Sequence, residues 1–123
     1  MLLALGVAVV SGIGAVCRYV ADQLISRKHD SAFPWGTLAI NVFGSFVLGL
    51  STGLATHHGL STTAAALIGS GFCAGFTTFS TWMFETHRLA EDAEIPAATV
   101  NVLLSLAVGV AGAALGRTIG AHV

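Results

Sequence analysis

The chain has 123 residues, 54% of them hydrophobic and only 9% charged, with a mean hydropathy of +0.83. A soluble domain carries roughly 25% charged residues, so this chain cannot supply the polar shell of a soluble fold. Its net charge of -1 with no basic stripe excludes nucleic-acid binding, and Cys17 and Cys73, distant and inside apolar stretches, exclude a disulfide-stapled secreted module.

A bilayer-spanning helix needs about 20 mostly apolar residues. Four such stretches follow one another and use almost the whole chain, which predicts an all-α integral membrane protein forming a single transmembrane domain over 1–123. The first helix runs from about 2 to 25 and carries Arg18, Tyr19 and Asp22 in its second half. Met1-Leu2-Leu3-Ala4 offers no basic n-region, so the segment does not read as a signal peptide. Arg18 either snorkels to the interface or pairs with Asp22 or Glu85; a structural or vestibule role is expected of it, and of Glu85. A polar loop follows, Ser26-Arg27-Lys28-His29-Asp30-Ser31.

The second helix spans about 34–56, without a charge, and Pro34 opens it where a missing N–H costs little. Thr37, Asn41 and Ser45 fall at i, i+4 and i+8 on one stripe, which Gly49 and Gly53 extend. Such a face permits close helix approach, and its amide and hydroxyls must turn to protein or to water. Loop two is His57-His58-Gly59-Leu60-Ser61, with Ser61 placed to cap the next helix.

The third helix, about 62–88, is the unusual one. Gly69, Gly71 and Gly75, then Thr77, Thr78, Ser80 and Thr81, crowd its centre. Such a segment either packs as a continuous helix with a Gly/Thr face or unwinds near mid-membrane. Unwinding is tolerated only where the backbone is buried in protein or lines a cavity. It frees carbonyls for a hard cation and gives the restarted helix N–H groups to offer an anion. Phe79 and Trp82, at i and i+3 after that point, are packing aromatics or rings whose positive edges face a pathway. Loop three is Leu89-Ala90-Glu91-Asp92-Ala93-Glu94-Ile95. The fourth helix, about 96–119, opens with Pro96 and carries Asn101, Ser105, Gly109, Gly112 and Gly116 in a second stripe.

Short connectors make neighbouring helices antiparallel. Arg27, Lys28 and Arg88 lie on one side and Arg117 on the other, which puts loops one and three in the cytoplasm but leaves insertion in both orientations open. The five histidines sit in loops or at ends without metal-ligand spacing. No nucleophile-and-base arrangement is visible, so the chain does not read as an enzyme.

At this point the residues resemble the Fluc (CrcB) fluoride channels of bacteria, over essentially the whole chain. The segments that carry the likeness are Gly14-Ala15-Val16-Cys17-Arg18-Tyr19, then 34–46 with Pro34, Trp35, Asn41 and Ser45, then 71–81 with Gly75, Thr77, Thr78 and Phe79, then Asn101 with Ser105 and Gly109. The resemblance implies a multi-pass protein of the bacterial cell membrane that exports cytoplasmic fluoride passively. It implies two pores in an antiparallel, dual-topology dimer, made with a second copy or an oppositely oriented paralogue. It also implies one structural sodium ion, held by the backbone carbonyls of Ala74 and Thr77. The fluoride pathway is expected to involve Phe79, Trp82, Asn41, Thr37, Thr78, Ser80, Ser105 and Asn101. Ala74 stands where the family usually has glycine, and Trp82 where it usually has phenylalanine. Two rival readings are a small four-helix multidrug-type exporter, which needs a membrane-embedded carboxylate, and a non-conducting membrane subunit.

Overall fold

A computed structural model describes residues 1–29 and 31–123; Asp30 of loop one lies outside them. Helix α1 is Leu2–Ser26 and α2 is Trp35–His57. The third span is divided: α3 (Thr62–Ala66), a π-helical stretch (Leu67–Cys73), α4 (Ala74–Phe76) and, after a break at Thr77 and Thr78, α5 (Phe79–Glu91). Helix α6 is Ile95–His122. Four helical units are therefore long and apolar enough to cross a membrane, as the hydropathy predicts, and no strand occurs among the described residues. Helices are what an apolar solvent selects, because each backbone N–H and C=O must find its partner within the segment.

The third and fourth spans run longer than expected. The third span runs on to Glu91, and α6 starts at Ile95 with Pro96 just inside it and continues to His122. Loop three shrinks to Asp92, Ala93 and Glu94. The reason is a backbone cap: Ala93 adopts φ 62, and the N–H groups of Ala93 and Glu94 donate to the carbonyls of Ala90 and Leu89. This pairing satisfies the last carbonyls of α5 with no glycine to signal it. Ser61 behaves as read, its Oγ accepting the Ala64 N–H at 3.2 Å.

The main seam joins α2 to α6. A Cβ on Gly49 would collide with the Ala113 carbonyl, and one on Gly116 with the Phe46 carbonyl. The two backbones therefore lie in direct contact, as a small-residue stripe predicts. On the other side α1 packs against the π stretch and α4. Gly75 lies against the Ser11 carbonyl and Gly14 against the Phe72 carbonyl. The half-helix α5 leans chiefly on α6 and touches α2 in few places. Apolar side chains cover much of the outer surface, among them Leu103, Leu106 and Val110 of α6.

Candidate functional site

The helix breaks halfway along the third span. Thr77 (φ -83, ψ 161) and Thr78 (φ -148, ψ 120) are extended. A continuous helix would give the Thr78 N–H to the Ala74 carbonyl four residues back. Here it goes instead to Asn41 Oδ1 at 2.8 Å, while Asn41 Nδ2 donates to the Thr78 carbonyl at 2.9 Å. One amide side chain thus pairs with both backbone groups of one residue, and it frees the Ala74 carbonyl from the ladder. The Thr78 hydroxyl caps the restarted helix, accepting the Thr81 N–H at 3.2 Å and donating to Thr81 Oγ1 at 3.0 Å. The Thr77 hydroxyl donates to the Cys73 carbonyl at 2.8 Å and closes the turn above. Phe76 is buried there, stacked on Phe72 and edge-on to Phe43.

Arg18 reaches this break from α1. Its Nη1 donates to the Thr77 carbonyl at 3.2 Å. It makes no ion pair with Asp22 or Glu85, the partners considered from sequence; the Thr77 carbonyl at the break engages the guanidinium instead.

An open groove of about 370 Å³ runs past the break, walled by Asn41, Ser45, Ala74, Thr77, Phe79 and Trp82 among others. Ala74 and Phe79 are exposed, Phe79 at 71%. The Phe79 and Trp82 rings meet edge to face, with centroids 5.5 Å apart and planes at 74°. Asn41 Nδ2 carries two hydrogens, and only one goes to Thr78.

The remaining expected pathway residues lie elsewhere. Ser80 is exposed, with its Oγ 3.3 Å from the Thr78 hydroxyl. Thr37 is 2% exposed and sits beside Glu85. Asn101 is wholly buried between α5 and α6: its Nδ2 donates to Thr86 Oγ1 at 2.8 Å, and Ser105 Oγ donates to its Oδ1 at 3.4 Å. Helical spacing aligns Asn101 and Ser105 but does not reveal that α5 covers Asn101. The Trp82 indole N–H is given to the Asn101 carbonyl at 3.4 Å. Thr86 went unnoticed in the sequence, although its spacing of four from Trp82 puts both on one face.

Glu85 belongs to a second hollow of about 360 Å³ at the end of the bundle near loops one and three, shared with Asp22, His29, Trp35, Arg88 and Asp92. One carboxylate oxygen of Glu85 is buried without a hydrogen-bond partner.

A small four-helix membrane protein with a polar break beside paired aromatic rings is the class these features define. The family described as "CrcB-like protein, Camphor Resistance (CrcB)" matches residues 5–117, and the chain belongs to it. It is 44% identical over 115 residues to the "Fluoride-specific ion channel FluC 2" of Mycobacterium bovis, covering 94% of this chain and 88% of that protein. It is 47% identical over 116 residues to the FluC 1 of Leifsonia xyli subsp. xyli, covering 93% and 85%. The FluC of Geobacter sulfurreducens is 42% identical over 109 residues, covering 88% of each chain.

Proposed function

We propose that this protein is a fluoride-selective channel of the bacterial plasma membrane, the activity for which its relatives are named. The observation that carries the reading is the groove at the break, where Asn41 clamps Thr78 and the Phe79 and Trp82 rings stand edge to face. Fluoride is small and strongly hydrated, so a conducting pathway must replace its water with many donors while keeping each site weak enough to leave. The groove offers that kind of contact: the second Asn41 Nδ2 hydrogen, the Ser45 hydroxyl, and the positive ring edges of Phe79 and Trp82. Arg18 adds positive potential near the break without standing in the groove wall. Export is passive, since an inside-negative potential favours anion exit by about 2.3 kcal/mol per 100 mV.

The groove is open on one side, and its apolar flank is exposed. An antiparallel second copy, or an oppositely oriented paralogue, closes it in this reading. The carbonyls of Ala74 and Thr77 suit a hard, oxygen-seeking cation such as sodium. Ala74 is exposed at the groove with its carbonyl off the ladder, and a carbonyl has two lone pairs, so Thr77 can accept Arg18 and still face a cation. Bound there, sodium would supply positive charge that offsets the repulsion between the carbonyl dipoles holding it. The orienting of the carbonyls falls to Asn41 and Arg18.

Fluoride efflux from liposomes holding the purified protein, read by a fluoride electrode with chloride as control, tests this function. Fast fluoride release without chloride release is expected, lost in Phe79→Ala. No fluoride release from folded protein alone, or equal chloride release, overturns the reading of a self-sufficient selective channel.

A further inference from the structure

The contact that holds α5 contains a closed circuit of hydrogen bonds. The Trp82 indole N–H donates to the Asn101 carbonyl at 3.4 Å, Asn101 Nδ2 donates to the Thr86 hydroxyl at 2.8 Å, and that hydroxyl donates to the Trp82 carbonyl at 2.8 Å. Ser105 braces the circuit from α6 through Asn101 Oδ1. Trp82 is 9% exposed and Asn101 0%. A polar group left unpaired in such surroundings costs more than one pair contributes, so the members hold together as a unit. Thr86 is the hinge of the circuit, because its one hydroxyl both accepts from α6 and donates within α5.

We propose that Thr86 is a positioning residue for the ion pathway: by closing this circuit it fixes the rotation of α5 on α6, and with it the orientation of the Phe79–Trp82 ring pair. The proposal rests on the assignment of those two rings to the fluoride pathway. Thr86 stands one turn beyond Trp82 and does not wall the groove. It acts through Trp82, whose indole is tied at its polar end and presents its ring to Phe79. Phe79, at 71% exposure, has little else to hold its direction within one chain. The same circuit makes Asn101 a structural partner of Trp82 in this chain, with its amide engaged away from the groove.

Two measurements test this. In the first, fluoride efflux is compared for wild type, Thr86→Val, which keeps the shape and removes the hydroxyl, and Thr86→Ser, which restores it. Thr86→Val is expected to lower efflux about tenfold, the factor that one hydrogen bond represents, and Thr86→Ser to conduct like wild type. In the second, protein labelled with ¹⁵N in its indoles is placed in lipid nanodiscs and transferred to D₂O. The Trp82 indole proton is expected to resist exchange while that of Trp35, 40% exposed, exchanges quickly; the protection should vanish in Thr86→Val. Wild-type efflux in Thr86→Val, or Trp82 exchanging as fast as Trp35 in the wild type, overturns the proposal, and the second outcome needs no variant to fold. Unchanged efflux in Phe79→Ala sinks the ring assignment instead, while indole exchange still reports whether the circuit exists.

Discussion

Asn41 does the work of a strip of backbone. Its side-chain amide matches the peptide groups of Thr78 donor for acceptor, so the chain leaves the helix without stranding Thr78 in an apolar surrounding. Asn41→Leu removes both partners at once. Each orphaned backbone group costs about 1–3 kcal/mol, so the variant should lose about 2–6 kcal/mol in reversible unfolding in mixed micelles. Ala93 is a residue whose conformation opposes its identity. Its φ of 62 lies in the left-handed region, where a Cβ costs roughly 1–2 kcal/mol. Ala93→Gly should therefore raise stability by about 1 kcal/mol in the same assay. The sequence made Asn41 visible, because an amide on a charge-free apolar helix demands a partner. It did not separate Asn41 from Asn101, since both sit on stripes with hydroxyls and small residues. What separates them is the helix packed on top, and that is a tertiary fact.

At the level of elements, apolar length alone revealed the four spans, because a bilayer rewards little else. The small-residue stripes marked α2 and α6 as helices of close approach, while their packing on each other along one seam is seen only in the fold. Gly120 extends that seam one turn beyond the stripe read from sequence, meeting the Leu50 carbonyl. Since backbone carbonyls, not flexible side chains, stand opposite these glycines, there is nothing to move aside. Gly116→Val should push the helices apart and cost about 1–3 kcal/mol by overpacking, seen as a lower midpoint in thermal unfolding in detergent. The same substitution at Gly12, which has open space around it, should be near neutral in packing terms. The end expected for the third span comes too early: Leu89, Ala90 and Glu91 are helical, because α5 extends past the apolar region to the cap at Ala93. The π stretch was not legible, because a run such as Leu67-Ile68-Gly69-Ser70-Gly71 suits an α turn or a wider one equally well.

For the whole molecule, the break links three parts: α1 through Arg18, α2 through Asn41, and α6 through the contact of α5. Conduction in the proposed dimer should accordingly depend on the cation proposed for the Ala74 and Thr77 carbonyls. Replacing sodium with a bulky organic cation on both sides of the liposome should reduce fluoride efflux, with recovery when sodium is restored. Unaltered efflux after exhaustive exchange would count against the sodium site. The π stretch, finally, solves a problem of phase. Glycines 71 and 75 have to face α1, while Ala74 and Thr77, on the same short piece of chain, have to face the groove. In a helix each residue advances the azimuth by about 100°, so a strictly regular winding from Thr62 onward would dictate every later direction from its start. The wider turns over Leu67–Cys73 break that dictation, as a vernier does between two scales. The entrance of the span is thereby set at a different phase from its centre, and the directions of Ala74 and Thr77 follow from the wider turns as much as from where the helix starts.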